Sequence, residues 1–359
     1  MRSLSDSKLE HLRSIAASPD FSSTKYRIVG ELARGGMGII YQAEDPQLGR
    51  EIAIKVLNTP EEDSDLARRM IREAQIIARL EHPGIVPVHD VGVLADGSVF
   101  YAMKLVRGQR LDEYAIQTQS LNDRLRKFQA ACEAVAFAHA HGVIHRDLKP
   151  QNIMIGSFGE VLVMDWGIAK MLRSNQSTSD SSEPGKVLPP GRRGASRDRG
   201  SGNGENTTHG TIVGTAGYMA PEQARGEIEK LDERSDVYSL GAVLYFLLTN
   251  KPPAGANSTD ESATFSRPTL RPRELNPKIS KTAEAVCLKA MSPAGSARYS
   301  SATELVAEIA RLIDDQPVNA HRENVFERTG RWFSKNRFLV FLILAYLLMR
   351  FFFILTSRR

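Results

Sequence analysis

Cysteine is scarce in this chain of 359 residues, which contains only Cys132 and Cys287. The two residues lie far apart in helical-looking stretches, and their spacing matches no metal-binding pattern. Two reduced core thiols in a cytosolic domain are the simplest interpretation. The composition therefore argues against a cysteine-bound metal centre.

Other features are also missing. The first ten residues, MRSLSDSKLE, contain no apolar h-region, so no signal peptide is expected. The net charge of +5 is mild, and no segment repeats along the chain. The basic residues Arg192, Arg193, Arg197 and Arg199 are more typical of a solvated charge run than of an RNA- or lipid-binding segment, so binding to nucleic acid is not expected.

A long apolar run occurs only at the C-terminus, where residues 338–355 read FLVFLILAYLLMRFFFIL. Arg350 would cost about 2.5–3.5 kcal/mol in a bilayer, whereas about fourteen Leu, Ile, Phe and Val contribute roughly 0.3–0.6 kcal/mol each. We therefore predict a transmembrane helix over residues 338–357, preceded by a basic juxtamembrane segment, 317–337. The excess of basic residues before the span predicts a single-pass protein of the cytoplasmic membrane, with its large N-terminal part in the cytoplasm. The alternatives are a re-entrant or interfacial helix and a C-terminal helix buried against a soluble domain.

The remaining chain predicts an α+β protein with two lobes. A polar extension, residues 1–25, precedes a strand-rich lobe over 26–106 with one main helix, and helical patterns dominate residues 107–316. Residues 173–210 are rich in Ser, Gly, Pro and Arg and nearly free of large apolar groups. Such a segment cannot bury enough surface to order itself, so a disordered insertion is predicted there.

A glycine-rich stretch, residues 33–38 (ARGGMG), lies between two predicted strands. A dinucleotide-binding turn would need a helix after it, so the pattern favours a hairpin whose N–H groups cover phosphates, or a plain tight turn. Lys55 follows in an apolar strand and needs a partner there. Glu73, in the next predicted helix, is the candidate, and together they could hold nucleotide phosphates.

The most specific stretch is HRDLKPQN, residues 145–152. Asp147 can accept a proton from a bound hydroxyl, and Lys149 can neutralise a transferring phosphoryl group. Asn152 can bind Mg²⁺, with Asp165 of the following VMDWG segment as second metal ligand.

With these motifs the chain resembles the eukaryotic-like protein kinase family, most closely bacterial membrane-anchored serine/threonine kinases, over roughly residues 26–316. Further matches are YMAPE at 218–222, DVYSLG at 236–241 and Arg298. The resemblance implies a bilobal kinase fold in which Glu222 pairs with Arg298 and Asp236 anchors the catalytic loop.

The resemblance also implies ATP and Mg²⁺ as cofactors, with Mn²⁺ as an alternative metal. The implied catalytic residues are Lys55, Glu73, Asp147, Lys149 and Asn152, and the metal ligands are Asn152 and Asp165. The implied nucleotide-binding residues are Leu32, Ala33, Gly35, Gly36, Gly38, Ile40, Ala53, Lys55, Met103, Lys104, Val106, Met154 and Asp165.

The implied activity is transfer of the ATP γ-phosphate to Ser or Thr of proteins, because Lys149 and Thr215 match serine/threonine kinases rather than tyrosine kinases. The implied autophosphorylation sites are Thr207, Thr208 and Thr211, and a homodimer that phosphorylates in trans is one arrangement for it. The other partners expected are protein substrates and the lipid bilayer, through 338–357.

Two substitutions depart from the family pattern. Ala33 replaces the first glycine of the loop, and Trp166 replaces the usual Phe after the metal-binding Asp. With the long insertion, they support an alternative function, a membrane-tethered pseudokinase scaffold that binds nucleotide or partner proteins without turnover. The complete catalytic set favours a working site with a bulkier aromatic side chain.

Overall fold

The computed structural model describes residues 19–35, 38–57, 71, 74–166, 216–253, 269–324, 328–329 and 336–357. Several predictions fall outside these residues: the insertion at 173–210, Gly36, Glu73, and Thr211 and Thr215 of the segment before residue 216. Within them the chain folds as a strand-rich lobe followed by a helical lobe, which confirms the predicted bilobal arrangement.

Five antiparallel strands form the first sheet, in the order β1-β2-β3-β5-β4. Their bounds are β1 Arg27–Gly35, β2 Gly38–Asp45, β3 Arg50–Leu57, β4 Val88–Val93 and β5 Val99–Lys104. The central strands β3 and β5 are buried on both faces, because apolar side chains alternate between two separate cores. One core covers the outer face of the sheet, and the other continues into the helical lobe.

A three-stranded sheet, in the order β6-β7-β8, lies at the start of the second lobe. It consists of β6 Gly108–Arg110, β7 Ile153–Gly156 and β8 Val161–Val163. The helices of this lobe are α1 Leu111–Gln117, α2 Leu121–Ala140, α3 Pro221–Ala224, α4 Glu233–Thr249, α5 Pro272–Leu275, α6 Lys281–Ala290 and α7 Ala302–Ile313. Catalytic-loop residues 145–152 connect α2 to β7.

Helix α4 forms the centre of the helical lobe. It begins after Asp232, whose side chain accepts a hydrogen bond from the Arg234 N–H at 2.9 Å. It ends at Asn250, which adopts a left-handed conformation with φ of 54°. Most of its residues are buried, including Asp236, so this helix provides a fixed base beneath the catalytic loop.

The C-terminal helix, α8 (Arg337–Ser357), exposes large apolar side chains. Phe341 is 68% exposed and Leu348 66%, so the alternative of a helix buried against the domain is wrong for this part of α8. Among the described residues, no helix combines the length and the apolar character needed to cross a membrane. The predicted transmembrane helix over residues 338–357 is therefore not confirmed.

Candidate active site

The catalytic loop is held through its backbone by Asp236. This carboxylate is fully buried and accepts hydrogen bonds from the N–H groups of His145, at 2.7 Å, and Arg146, at 2.8 Å. Arg146 has a φ of 65°, a conformation that costs a non-glycine residue on the order of 1–3 kcal/mol. The two hydrogen bonds offset this strain, and the predicted anchoring role of Asp236 is confirmed.

Asp236 is itself supported by His139, whose Nε2 lies 2.8 Å from its Oδ2. Burial would raise the pKa of Asp236, but the hydrogen bond and the charge of His139, with a further contribution from His145, lower it below the ordinary value. Asp236 is thus an ionised acceptor.

Asp147 lies at the centre of the loop and is 5% exposed. Lys149 Nζ lies 3.1 Å from its Oδ2, and Asn152 donates its amide N–H to the Asp147 carbonyl at 2.7 Å. Because the Asn152 nitrogen is engaged in this way, its Oδ1 is the atom left for a cation. The structure brings the three predicted residues of this loop together, and an oxygen ligand of the kind that Mg²⁺ prefers is among them.

The second predicted metal ligand lies beside the first. Strands β7 and β8 pair with Ile153 opposite Val163, so Asn152 and Asp165 sit at the same end of this hairpin. The Met164 N–H also donates to the Asn152 carbonyl at 2.8 Å. The donor set therefore fits a divalent cation that is held by two side-chain oxygens and completed by substrate phosphates and water.

Lys55 reaches across the cleft to Asp165, with 2.7 Å between Nζ and Oδ1. Burial alone would lower the pKa of Lys55, but Tyr101 and Asp165 beside it raise that pKa above the ordinary value. The ammonium is therefore charged. The predicted partner, Glu73, lies outside the described residues, and Asp165 is the ion-pair partner seen here.

The glycine-rich hairpin closes between Gly35 and Gly38, which are register partners of β1 and β2. Gly38 has a φ of 144°, and a Cβ there would overlap the carbonyl of Val56. Ala33 pairs with Ile40 in ordinary strand conformation and is not among the described non-glycine residues with positive φ. The substitution of the first glycine by Ala33 therefore introduces no backbone strain.

The predicted adenine-contacting residues lie along the strands that line the cleft. Ala53 and Met103 are direct partners on β3 and β5, and both are buried. Ile40 and Met154 are half-buried on β2 and β7, one in each lobe. Leu32 lies on β1 and Lys104 at the end of β5, and Val106 follows two residues after β5.

Trp166 is 6% exposed and packs against His145, with 4.6 Å between ring centroids. The same core contains Ile77, with Val88 packed against it. The indole Nε1 has no hydrogen-bond acceptor among the described residues. The larger ring is therefore accommodated, but its buried N–H meets no acceptor in the part of the chain that the structure describes.

The predicted ion pair between Glu222 and Arg298 is confirmed and bidentate, at 2.6 and 2.8 Å. Burial would raise the pKa of Glu222, but the Arg298 guanidinium and the Ser235 hydroxyl lower it to about 2. Next to this pair, Gln223 donates to the Arg146 carbonyl at 2.5 Å. The segment that follows residue 216 is thereby fixed to the catalytic loop.

Sequence reasoning missed three residues of the site: His139, Tyr101 and Gln223. His139 and Tyr101 lie within an ordinary helical and an ordinary strand pattern, which gave no sign that either would meet a charged partner. Gln223 directly follows the YMAPE motif, but nothing in that motif indicates a contact with Arg146.

Residues 26–309 match the protein kinase domain family. The chain belongs to the eukaryotic-like protein kinase family. It is 32% identical over 330 residues to the serine/threonine-protein kinase PknD of Protochlamydia amoebophila, covering 86% of this chain and 30% of the relative. It is 35% identical over 317 residues to the serine/threonine-protein kinase PknB of Mycobacterium tuberculosis, covering 84% of this chain and 45% of the relative.

The chain therefore spans less than half the length of these two curated relatives. Among solved structures, the kinase domain of Mycobacterium tuberculosis PknI is similar, with 25% identity and a TM-score of 0.57. That match covers 80% of this chain and 96% of the PknI kinase domain chain. The similarity thus extends over both lobes of the fold.

Proposed function

We propose that this protein transfers the γ-phosphoryl group of ATP to Ser or Thr hydroxyls of proteins. The observation that carries the proposal is the contact of Asp147 with both Lys149 and Asn152, on a loop fixed by buried Asp236. The names of the bacterial relatives, which are serine/threonine-protein kinases, support the same substrate class.

In this proposal Asp147 orients the substrate hydroxyl and accepts its proton. Lys149 lies beside the same carboxylate and offsets the negative charge that develops on the transferring group. Lys55 contacts the phosphates from the opposite lobe, and Asn152 and Asp165 would hold Mg²⁺. When bound, the metal offsets charge on the phosphate oxygens. Catalysis then comes from positioning and electrostatics, with no covalent enzyme intermediate.

The test is phosphoryl transfer by the full-length chain with Mg²⁺ and γ-labelled ATP, compared with Asp147→Asn. Labelled phosphoserine or phosphothreonine with the parent, and a loss of at least about 100-fold in the variant, are expected. ATP binding without transfer by the parent would contradict the proposal and favour the scaffold alternative. Replacing Mg²⁺ by Mn²⁺ in the same assay tests the alternative metal.

The proposed activity includes autophosphorylation in the segment between Asp165 and Glu222. Phosphate at Thr207, Thr208 or Thr211 would find a cation in Arg146, which lies next to the proton acceptor in the sequence. Mapping the label within the chain tests this. Dilution separates the two routes, because transfer in trans within a homodimer slows on dilution whereas transfer in cis does not.

We also propose that the kinase acts at the cytoplasmic face of a membrane, to which α8 attaches it. Support comes from the exposed apolar side chains of residues 341–350 and from the basic segment before them. Flotation of the full-length chain with vesicles, compared with a chain that ends at residue 331, tests the attachment. Equal flotation of the two chains would contradict it.

A further inference from the structure

Arg146, the residue before the proposed proton acceptor, is held from two sides. Its N–H donates to Asp236 at 2.8 Å, and its carbonyl accepts a hydrogen bond from Gln223 Nε2 at 2.5 Å. The φ of 65° at Arg146 is a conformation that persists in a non-glycine residue only when the surroundings fix it. The mechanism above accounts for the first of these contacts and makes no use of the second.

The Arg146 carbonyl belongs to the peptide group that leads into Asp147. A peptide group is planar, so the direction of this carbonyl also sets the direction of the Asp147 N–H, which donates to His145 Nδ1 at 3.3 Å. The Cα atom that carries the Asp147 side chain lies in the same plane. A group that fixes the Arg146 carbonyl therefore helps to fix the Asp147 carboxylate.

Gln223 differs from the other groups that orient Asp147, because it comes from outside the loop. Lys149 and Asn152 contact Asp147 from two and five residues further along the chain, so they move with the loop. Gln223 is 77 residues away from Arg146 in the sequence and lies on the short helix α3. Its hydrogen bond therefore sets the position of the loop relative to a separate element.

Helix α3 holds Gln223 in a defined place. The neighbouring residue, Glu222, is buried and is bound by Arg298 at 2.6 and 2.8 Å and by the Ser235 hydroxyl at 2.7 Å. Pro221 begins the helix with a fixed φ. The half-buried Gln223 side chain thus extends from a rigid base, and its amide supplies the donor that the Arg146 carbonyl requires.

We propose that Gln223 is a positioning residue, which holds the Arg146–Asp147 peptide group in the orientation that Asp147 needs to accept the substrate proton. This inference rests on the proposed function for its catalytic meaning. Gln223 acts through Arg146 and touches neither the phosphates nor the hydroxyl. It joins the segment after residue 216 to the catalytic loop through one side chain.

The test uses Gln223→Met in the full-length protein, with Gln129→Met as matched control. Methionine has nearly the length of glutamine but no donor, and Gln129 lies on α2, where it donates to Glu133 at 3.0 Å on the surface. The first readout is amide hydrogen exchange of residues 143–149 without nucleotide. Loss of the hydrogen bond should speed exchange of the Arg146 and Asp147 N–H groups about three- to tenfold in Gln223→Met only.

The second readout is steady-state kinetics. Gln223→Met is expected to lower kcat about three- to tenfold and to leave KM for ATP within about twofold, because it affects the proton acceptor and not the binding of nucleotide. Gln129→Met should change neither constant. Gln223→Glu keeps the shape of the side chain but replaces the donor by an acceptor, so its kcat should fall at least as far as that of Gln223→Met.

Three outcomes would overturn the inference. The first is unchanged exchange and unchanged kcat in Gln223→Met, and the second is a Gln223→Glu variant that keeps the kcat of the parent. The third is faster exchange throughout the helical lobe of Gln223→Met, which would mean that Gln223 supports the fold as a whole. A parent that transfers no phosphate would contradict the proposed function instead, because the exchange readout needs no turnover.

Discussion

The lower half of the active site, residues 145–152, is held through its backbone, whereas the upper half depends on one long side chain. Below the cleft, Asp236 fixes two consecutive N–H groups, and Asp147 contacts residues two and five positions further along the chain. Above it, Lys55 projects from β3 and meets Asp165, 110 residues away.

The difference shows two ways to build precise geometry. The loop is preorganised, because its local strain is offset by a carboxylate on the most buried helix of the lobe. Lys55 is placed by strand register and by the distance between the lobes, so its position changes whenever the lobes move. We therefore expect substitutions in the lower half to reduce both stability and activity, and substitutions in the upper half to reduce mainly activity.

The largest effect is expected for Asp236→Asn. An amide has one acceptor oxygen, so its NH₂ group would face a backbone N–H of His145 or Arg146 in a buried site. The free energy of unfolding should fall by about 2–4 kcal/mol, and phosphoryl transfer by at least about 100-fold. Urea unfolding and the γ-labelled ATP assay measure the two losses.

Asp232→Asn is the matched control, because Asp232 caps the same helix and asparagine caps helices equally well. It should leave both quantities nearly unchanged. If the phosphoryl-transfer rate of Asp236→Asn stays within threefold of the parent rate, the loop does not depend on this anchor.

The next effect is pH-dependent and comes from Glu222. Its folded-state pKa is lowered to about 2 from the ordinary 4.5, so its stabilising contribution is complete above about pH 5 and is lost as pH falls toward 2. The difference between these two pKa values corresponds to about 3 kcal/mol of folding free energy at neutral pH. Because Glu222→Gln leaves Arg298 without a charged partner, the stability difference from the parent should be largest near neutral pH and shrink on acidification.

Unfolding free energies of parent and Glu222→Gln between pH 3 and pH 7 provide the measurement. Glu229→Gln, at an exposed position in the next turn, is the control and should show no such pH dependence. A stability difference that is constant across this range would exclude the Glu222–Arg298 pair as its source.

In the upper half, Lys55→Met should separate activity from stability. Methionine keeps the apolar stem, and the Asp165 carboxylate that loses its partner is 23% exposed and can be hydrated. The free energy of unfolding should therefore fall by about 1 kcal/mol, less than in Asp236→Asn. Phosphoryl transfer should fall by about 10- to 100-fold, because the phosphates lose a cation. Lys230→Met, at an exposed lysine, is the control in both assays. A stability loss as large as that of Asp236→Asn would remove the contrast between the two halves.

The sequence predicted those parts of the site that are local or that recur as a motif. The strands, the loop at 145–152, the Asp236 anchor and the Glu222–Arg298 pair all follow from periodicity or from the family resemblance. Their geometry is set within a few residues or by a partner that the motif names.

The contacts made by Lys55 and Trp166 were harder to predict, because they depend on how separate elements pack. Hydrophobic pattern places Tyr101 in a strand, but only the register of β3 against β5 puts it opposite Lys55. Likewise, the sequence shows that Trp166 carries an N–H in need of a partner, but not whether the core provides one.

Trp166→Phe should have the smallest effect, and it tests the contact that joins the two halves. Trp166 packs against His145 of the loop and shares a core with Ile77 of the upper lobe. The indole N–H has no acceptor among residues 74–166 or the other described ranges. Leaving it buried without a partner costs about 1–3 kcal/mol, and removing it offsets the loss of buried ring surface. The free energy of unfolding should therefore stay within about 1 kcal/mol of the parent, and phosphoryl transfer within about threefold. Tyr245→Phe serves as control for the loss of a polar group from a buried aromatic residue, because the Tyr245 hydroxyl lies in the helical lobe and donates to the Leu270 carbonyl. A large rise in phosphoryl transfer would instead show that Trp166 holds the parent in a poorly active state, as the scaffold alternative requires. A large fall would show that the indole N–H has an acceptor in the conformation that transfers phosphate.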